Sequence, residues 1–523
     1  MKKILVFLCC MLFAAFVNAQ SKVFKEVSDE ISTTMEAIIQ DGGLVGYVAF
    51  TRLEKASEDS FNYKVTIMDE NLNDIGVVNF REEILDLEAV AFEQDILCLA
   101  YFKSTLSGKE FKTTKAFKNA REGARNAVIT QFLNLGGKIT KQNSVPVSIS
   151  TTNSDRIYTS YSKFVAAASL KNRIQLLNVP QKGFVCFFGD DEAKTLLMYN
   201  TAGEEQWKKT IEAALWYSLL TTTDDIYILN KKQDRMYEGG YNMSVYGVSD
   251  NKNYLNYELK DKEGYSLNVL GFGNDPQTGK PFVSGNIISK KRGNAIESAT
   301  TMARGTYIGV YNLSFTGRQK TDVKEAFSYW SDGSLEPAIS KKGKFADNDC
   351  YARFSRSFRD YNGNTYFTGS AFNKKPKWGT IVAAAACAPL IIVSPIIFAT
   401  SGSQKTKIKN GMLLKQDAKG VLSFESEIEG NSTGYNQSRR PFGDYDRKRF
   451  YNVTNSDTKT NYVIMDDEKD IMIYNVKLKK VVRKISHKDG NSRINIYPAK
   501  EGHVMVSEYN KKEKYTRFSI EAL

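Results

Sequence analysis

The chain has 523 residues and a formal net charge of +13; 42% of its residues are hydrophobic and 12% are aromatic. It has two histidines, His487 and His503, and no C-x-x-C pair, so it lacks the ligands of a classical zinc or haem site, and we expect neither a metal nor a cofactor. Lysine and arginine are spread along the chain rather than gathered in one block, so we do not expect nucleic acid as a partner.

The first residues have the layout of a secretory signal peptide. Lys2 and Lys3 precede an apolar run from Ile4 to Val17, and small Ala19 closes a V-N-A site. We predict cleavage before Gln20 and export to the periplasm or cell envelope, or secretion. The alternative is an uncleaved anchor helix, for which the apolar run is short.

Four cysteines follow the predicted leader: Cys98, Cys186, Cys350 and Cys387. An even number in an oxidising compartment permits disulfides. Their apolar surroundings, as in DILCLAYF and GFVCFFGD, instead favour thiols buried in the core.

Strand-like runs separated by turn residues recur through the rest of the chain. One helix is predicted, over residues 110–127. Seven hairpins share an apolar run, a short polar turn and an outgoing strand; they begin at Lys64, Val128, Thr195, Asn242, Tyr307, Gly411 and Asp470. Three of them carry Tyr-Asn at the turn: Tyr199-Asn200, Tyr311-Asn312 and Tyr474-Asn475. Asparagine suits this position because its side chain bonds the nearby backbone.

A second repeat precedes two of the hairpins. GKPFVSG from Gly279 matches GNTYFTG from Gly363, and Asp275 and Asp360 lie ahead of the two copies. The unit DYNGNTYFTGSAF resembles the turn and strand of bacterial secreted β-propeller repeat proteins, and LLMYNTAGEEQWKK resembles the outer hairpin of their blades. The resemblance covers two or three blades and implies a propeller fold.

The hairpins mostly begin about 45 to 70 residues apart, a spacing typical of four-stranded propeller blades. The longer interval from Tyr307 to Gly411 becomes regular if about 35 residues are removed. The C-terminal region supplies three further strands, and a strand near Val23 to Val27 completes the last blade. We therefore predict one all-β domain over 20–523, a β-propeller of seven or eight four-stranded blades with eight favoured; the alternative is a pair of irregular β-sandwiches.

An apolar segment interrupts this pattern within residues 374–409. It reads TIVAAAACAPLIIVSPIIFAT from Thr380, and no charged residue lies between Lys377 and Lys405. Pro389 and Pro395 interrupt a helix, and lysines flank both sides. These features favour a folded-back helical hairpin arm over a single span. We expect the arm to dock the protein to a membrane surface or a partner protein through apolar side chains and one tryptophan: Trp378, Ile381, Val382, Leu390, Ile391, Ile392, Ile396, Ile397 and Phe398.

A second candidate site lies in the loop 434–451, where arginines alternate with aromatic residues. Guanidinium groups beside aromatic rings suit a polyanion or a glycan. The residues concerned are Arg439, Arg440, Tyr445, Arg447 and Arg449. Arg353, Arg356 and Arg359 on a neighbouring strand extend this candidate surface, whose alternative is a solvated loop.

No catalytic constellation is predicted. GNSTG from Gly430 has the G-x-S-x-G pattern, but a polar loop follows Ser432 where a hydrolase needs a helix. Acidic clusters at Asp190, Asp224, Asp347 and Asp466 fall at strand ends, where acids form turns. We predict an extracytoplasmic binding or scaffold protein; the alternative is a carbohydrate-active enzyme with paired carboxylates at the propeller channel.

Overall fold

Successive strands pair antiparallel, four at a time, because short polar turns return the chain beside the strand it has just left. The computed structural model describes residues 21–25, 32–57, 60–106, 110–111, 113–147, 156–160, 163–166, 174–189, 193–212, 214, 216–234, 237–291, 307–332, 335, 338–340, 343–346, 349–376, 404–430, 449–467 and 469–523.

The first four blades take the strands in chain order, apart from three strands that form a separate small sheet. Blade 1 comprises β2 (Ser32–Gln40), β3 (Gly43–Ser57), β4 (Ser60–Asp69) and β5 (Asp74–Glu82); blade 2 comprises β6 (Leu85–Glu93), β7 (Ile96–Ser104), β9 (Asn126–Asn134) and β10 (Ile139–Pro146). Blade 3 comprises β13 (Gln175–Val179), β14 (Gly183–Gly189), β15 (Ala193–Tyr199) and β16 (Glu205–Glu212); blade 4 comprises β17 (Trp216–Thr221), β18 (Asp225–Asp234), β19 (Tyr237–Gly247) and β20 (Asn253–Glu258).

The next three blades follow the same plan. Blade 5 comprises β21 (Tyr265–Asn274), β22 (Pro281–Lys291), β23 (Tyr307–Phe315) and β24 (Val323–Tyr329). Blade 6 comprises β25 (Tyr351–Arg359), β26 (Thr365–Pro376), β27 (Gln404–Gln416) and β28 (Leu422–Ile428); blade 7 comprises β29 (Arg449–Asn455), β30 (Thr460–Asp466), β31 (Asp470–Asn475) and β32 (Lys480–Ser486).

The eighth blade joins the two ends of the chain. Its strands are β34 (Ser492–Pro498), β35 (His503–Asn510), β36 (Tyr515–Ala522) and, outermost, β1 (Ser21–Lys25), with the two-residue β33 (Lys488–Asp489) beside β34. Ser21 lies opposite Ser519 and Lys25 opposite Tyr515. The predicted closure by an N-terminal strand is confirmed, and so is the eight-bladed, all-β propeller.

Hydrophobic clusters explain why the blades form a ring. Eight major clusters of buried side chains occur in the described residues, and each one spans two neighbouring blades, including blades 8 and 1. Each sheet is therefore covered on both faces. The sequences of its central strands are continuous apolar runs, because successive side chains pack alternately against the two adjacent blades. For example, β14 is buried along its whole length.

Contacts around the perimeter join the outermost strand of each blade to the next blade. Asn143 donates to the Gly203 carbonyl at 2.8 Å, and Ser328 Oγ donates to the Gly420 carbonyl at 2.6 Å. Five other junctions pair Trp207 with Val248, Tyr254 with Arg318, Glu425 with Lys479, Arg483 with Glu521, and Lys22 with Asp74. Between blades 1 and 2 the backbones are in close approach, since a Cβ at Gly137 would lie 2.6 Å from the Val77 carbonyl oxygen.

The one predicted helix is shorter than expected. Helix α1 (Thr114–Glu122) begins where Thr113 Oγ1 accepts the Ala116 N–H at 3.1 Å. Asn126 and Ala127 belong to β9 because they pair with β7 in blade 2. A separate small sheet contains β8 (Glu110–Phe111), β11 (Arg156–Ser160) and β12 (Lys163–Ala166), and two 3₁₀ turns cover Lys320–Asp322 and Trp330–Asp332.

The long interval between Tyr307 and Gly411 has two sources rather than one. The connection from Trp330 to Cys350 separates blades 5 and 6, and residues 377–403 lie between β26 and β27.

Candidate docking site

The side chains predicted to dock the protein lie outside the described residues. This applies to Trp378, Ile381, Val382, Leu390, Ile391, Ile392, Ile396, Ile397 and Phe398. The strands on either side of them are described, and they place the start and end of the segment. Within the part of the chain that the structure describes, no helix is long and apolar enough to cross a membrane.

The two strands that carry the segment extend beyond their own blade. β25 begins at Tyr351, opposite Phe372, and β28 ends at Ile428, opposite Gly411. Beyond Phe372 and Ile408, β26 and β27 continue as a two-stranded ribbon of four residue pairs, which we call the lysine ribbon: Asn373 with Lys407, Lys374 with Thr406, Lys375 with Lys405, and Pro376 with Gln404. At about 3.3 Å per residue, the lysine ribbon extends by roughly 13 Å.

Packing at its base holds the lysine ribbon. Phe372 is 1% exposed and stacks on Tyr351 with ring centroids 5.7 Å apart. Ile408 is also buried, and the Cys350 thiol lies 2.6 Å from Asn373 Oδ1. The ribbon therefore leaves the blade from a fixed base.

The sequence alone did not predict this ribbon. A signal for it was present, because Lys405, Lys407 and Lys409 alternate with Thr406 and Ile408, and a period of two is typical of a strand. The expectation treated these lysines as flanks of the apolar segment. Pairing with β26 makes them part of the sheet.

Strand direction divides the connections between two faces of the ring. Turns between the first and second and between the third and fourth strands of a blade lie on one face. Connections between the second and third strands and between blades lie on the other, which we call the loop face. The described residues that border the two candidate sites, Pro376 and Gln404 for the first and Gly430 and Arg449 for the second, end, begin or follow strands at the loop face.

The arginine and aromatic residues of the second candidate site lie largely outside the described residues, namely Arg439, Arg440, Tyr445 and Arg447. Arg449 begins β29, where its backbone pairs with Asp466. On the neighbouring strand, the Arg356 guanidinium lies 5.9 Å from the centre of the Tyr451 ring, and Arg356 Nη1 is 3.4 Å from the Phe450 carbonyl.

Arg359 does not contribute to a binding surface as expected. Its side chain is 7% exposed, and Nη1 donates to Asp275 Oδ2 at 2.7 Å. Nη2 donates to Asn312 Oδ1 and Ser314 Oγ, both at 2.6 Å. Arg359 therefore joins blades 5 and 6, and Arg353 is buried as well.

Of the acids in the predicted clusters, Asp467 forms a turn, whereas Asp225 pairs with Arg318 of blade 5 at 2.8 Å and Asp466 pairs with His487 at 2.7 Å. Other described acids form turns. Asp360 Oδ1 accepts the backbone N–H groups of Asn362 and Asn364 at 2.9 and 2.8 Å. The same arrangement occurs at Asp69, Asp261, Asp275, Asp417 and Asp467. Asp190, Asp191, Glu192, Asp347 and Glu468 lie outside the described residues. Within the described residues, no group of three or more potential metal ligands occurs.

Cys98 and Cys186 are buried core thiols, as expected, and burial raises the pKa of Cys186 to about 12. Cys350, which precedes β25 by one residue, is only half buried rather than buried as predicted, and it packs against the core between blades 5 and 6. Cys387 lies outside the described residues.

A polar cleft of about 560 Å³ lies between blades 5 and 6 and was not predicted. Its floor includes Ser328, which accepts from Gln416 Nε2 at 2.7 Å, and Tyr329, whose hydroxyl donates to Asp261. Burial, followed by the Asp261 carboxylate, raises the pKa of Tyr329. Two lysines, Lys262 and Lys419, and three acids, Glu263, Glu325 and Asp332, line the cleft.

Comparison with known proteins identifies the family. No curated protein sequence matches the chain. The Dos1 propeller is similar, at 8% identity and a TM-score of 0.43, covering 95% of this chain and 94% of that one. The WD40 domain of SCAP from fission yeast has 11% identity and a TM-score of 0.37, covering 93% and 98%; apo AztD from Citrobacter koseri has 10% and 0.35, covering 91% and 96%. Residues 1–419 match the family described as "Family of unknown function (DUF6770)", and this protein belongs to that family.

Proposed function

We propose that this protein is an exported binding or scaffold module that docks to a membrane surface or a partner protein through the apolar segment 379–400. The observation that carries the proposal is the pairing of Pro376 with Gln404. It holds the two ends of the segment side by side at the tip of the lysine ribbon, so the segment leaves the propeller and returns to it at one point.

The length of the segment supports docking rather than crossing. Two helical passes across a hydrocarbon core of about 30 Å need roughly 40 residues. Only 27 residues, 377 to 403, lie between the paired ends. A segment that starts and ends on one side therefore has enough chain to enter an interface or a partner's groove, but too little for two helical passes.

Burial of the apolar side chains would supply the affinity. At about 25 cal/mol per Å², a few hundred Å² of buried apolar surface contributes several kcal/mol before the cost of ordering the segment. The rigid ring would then present its loop face to the same surface.

The test is deletion of residues 379–400, with a short Gly-Ser linker between the paired strands. We expect the deleted protein to fold, because the pairing from Phe372 and Ile408 inward remains. It should lose association with membranes or with a co-purifying partner in cell fractionation and size-exclusion chromatography. Unchanged association in both assays would show that the docking role is wrong.

Export is tested separately with a tag after Leu523. In cells whose outer envelope has been opened but whose inner membrane is intact, added protease should remove the tag. A protected tag, together with protection of the N-terminal region, would contradict export.

A further inference from the structure

The polar cleft between blades 5 and 6 runs along an open sheet edge. One wall consists of five consecutive residues of β24, Glu325 to Tyr329, and the wall facing it consists of residues 418–422 of blade 6. The sheet of blade 5 ends at β24, and no strand of the described residues pairs with its outer edge. Five residues of strand are roughly 17 Å long, so the cleft has room for a short extended chain.

The ladder between β23 and β24 decides which backbone groups face the cleft. Thr316 donates its N–H to the Asp322 carbonyl at 3.1 Å, so this opposing pair is hydrogen bonded. The register of the two strands has no shift, and hydrogen-bonded pairs alternate with non-hydrogen-bonded pairs in an antiparallel ladder. The residues of β24 that bond β23 are therefore Lys324, Ala326 and Ser328.

The residues between them direct their backbone groups away from β23 and toward the cleft. Tyr329 agrees with this alternation, because its N–H donates to Asp332 Oδ2, outside the ladder, at 3.1 Å. The N–H and C=O groups of Glu325 and Phe327 have the same direction, and they form no backbone hydrogen bond within the part of the chain that the structure describes. The edge thus offers two donors and two acceptors at fixed positions.

An extended peptide carries the matching groups. Residues two apart along a strand are separated by about 6.8 Å and present their N–H and C=O groups to the same side. Glu325 and Phe327 have this spacing, so a peptide in the cleft can pair with β24 as a fifth strand of blade 5, by strand addition at a sheet edge. The hydroxyl groups of a sugar lack this fixed alternation, so the backbone groups favour a peptide over a glycan.

The wall formed by blade 6 determines which peptide side chains fit. Side chains of an added strand alternate between the two faces of the sheet. The face toward blade 6 is lined by small or apolar residues, namely Ala326, Gly420, Val421 and Leu422. Val421 is 52% exposed, and covering it removes apolar surface from water. Apolar side chains at alternate positions of the peptide fit this wall.

The charges in the cleft favour an acidic side chain in the peptide. Two of the three acids, Glu325 and Asp332, already accept hydrogen bonds from the fold. The third, Glu263, is outnumbered by Lys262 and Lys419, neither of which forms an ion pair within the described residues. A carboxylate of the peptide would therefore find a lysine in the cleft.

We propose that the cleft beside β24 binds an extended peptide of a partner protein, with alternating apolar residues and at least one acidic side chain, as a fifth strand of blade 5. Glu325 and Phe327 bond the peptide backbone, and Lys262 and Lys419 attract its carboxylate. The site lies on the perimeter of the ring and does not use the segment 379–400. It is therefore an interaction surface beyond the proposed docking function.

The experiment selects binders from a phage-displayed library of random peptides on the immobilised full chain. Enriched peptides are synthesised with a fluorescent label, and fluorescence anisotropy measures their affinity for each purified protein. The test variant Glu325→Pro removes an outward N–H, a change that an edge strand tolerates. Its matched control, Glu325→Ala, loses the same side chain and keeps the N–H. Circular dichroism and thermal unfolding check that each variant is folded.

We expect Glu325→Ala to bind the enriched peptides no more weakly than the wild type. Glu325→Pro should bind them at least about tenfold more weakly, because the peptide carbonyl opposite residue 325 is left without a donor. Lys262→Gln/Lys419→Gln should weaken binding several-fold and make it less sensitive to salt. Equal affinities of the proline and alanine variants would overturn the inference.

Methylation of the peptide's backbone nitrogens tests the pairing without altering the protein, which matters if Glu325→Pro fails to fold. Methyl groups on one set of alternate residues should abolish binding, because those N–H groups face β24. Methyl groups on the other set should leave most of the affinity. Equal effects of the two sets would show that the peptide does not pair as a strand, and the inference would be wrong.

The deletion of residues 379–400 separates this inference from the proposed function. The deleted protein should bind the enriched peptides as the wild type does, whether or not it still docks. Loss of peptide binding in the deleted protein would move the site to the segment and overturn the inference. A selection that enriches no peptide, together with binding to an oligosaccharide array, would assign a glycan as the ligand and refute it as well.

Discussion

Arg359 and Asp275 form a buried ion pair, 2.7 Å long, that joins blade 6 to blade 5. The two side chains are 7% and 6% exposed, and Asp275 Oδ1 also accepts the backbone N–H groups of Gln277 and Thr278. Burial acts to raise the pKa of Asp275, but the Arg359 guanidinium and these N–H groups together hold it below its usual value. One carboxylate thus makes both a turn and an interblade contact.

Replacing Asp275 with Asn tests that contact. Asn keeps an oxygen for the turn but removes the charge, so Arg359 is left buried without its counter-ion. We expect the free energy of unfolding in urea to fall by about 3 kcal/mol. The double variant Asp275→Asn/Arg359→Met should lose less than the sum of the single losses, because each partner alone leaves the other uncompensated.

The matched control is Asp250→Asn, at an exposed turn where Asp250 accepts the Lys252 N–H at 3.1 Å. A surface change of this kind should cost less than about 0.5 kcal/mol. Equal losses for the two variants would mean that the buried pair makes no special contribution.

Closure of the ring depends on β1, and Phe24 is its apolar anchor. The Phe24 and Phe518 rings meet edge to face with centroids 5.8 Å apart, next to buried Met505 and Ile520. Phe24→Ala should lower the unfolding free energy by about 2 kcal/mol.

The control for Phe24 is Val23→Ala on the same strand, where the side chain is 48% exposed. It should cost no more than about 0.5 kcal/mol. If the two substitutions destabilise equally, β1 acts through its backbone pairing alone and the aromatic contact is unimportant.

Glu425 links blade 6 to blade 7 and should make stability depend on acid pH. Its side chain, 9% exposed, lies 2.9 Å from Lys415 Nζ and 2.8 Å from Lys479 Nζ. Burial opposes ionisation, but the hydrogen bonds from Lys479 and Lys415 outweigh it and lower the pKa of Glu425 to about 2.

The sign follows from this lowered pKa. The ionised Glu425 contributes its full stabilisation above the pKa of the unfolded chain, near 4.5, and this stabilisation is lost as the pH falls towards 2. Glu425→Gln should cost about 1 kcal/mol near neutral pH, because Lys479 is mostly exposed and the pair is screened by solvent. Urea unfolding at neutral pH and near pH 3 measures the difference in unfolding free energy between the wild type and Glu425→Gln. This difference should be smaller at the lower pH. The control Glu429→Gln, at an exposed position, should leave the unfolding free energy nearly unchanged at both pH values.

The sequence predicted the strand hairpins well and the contacts between blades poorly. Each of the seven hairpins found from Lys64 to Asp470 is the third and fourth strand of a blade, because tight turns and apolar alternation are local properties. The Tyr-Asn repeat shows the limit. Asn200 and Asn475 accept backbone N–H groups in their own turns, but Asn312 binds Arg359 of the next blade.

The docking site was predicted only in part for a similar reason. Composition reveals the apolar segment, but strand register is a relation between two distant stretches. The opposition of Lys375 and Lys405 therefore appears only once β26 and β27 are paired. Arg359 was predicted to lie on a surface because the sequence does not distinguish a solvent-exposed arginine from one that is paired with an acid of the neighbouring blade, here Asp275.

His487 provides a second, oppositely directed pH dependence. It lies between blades 7 and 8, with Nε2 2.7 Å from Asp466 Oδ1 and Nδ1 2.8 Å from the Ile494 carbonyl. Both partners are acceptors, so the ring fits best when both nitrogens carry protons. Burial disfavours the charged ring, but the Ile494 carbonyl and the Asp466 carboxylate outweigh burial and raise the pKa of His487.

Because the pKa is raised, protonated His487 contributes its full stabilisation below the pKa of the unfolded chain, about 6.5. That stabilisation is lost as the pH rises through the pKa of the folded protein. We expect the wild type to lose about 1 kcal/mol more than His487→Gln between about pH 6 and pH 9 in urea unfolding. His503→Gln serves as the control and should keep the wild-type slope. It also leaves His487 as the one imidazole in the chain, so an NMR titration of that variant measures the pKa directly. A value at or below 6.5 would contradict the stabilising role assigned to Asp466 and Ile494.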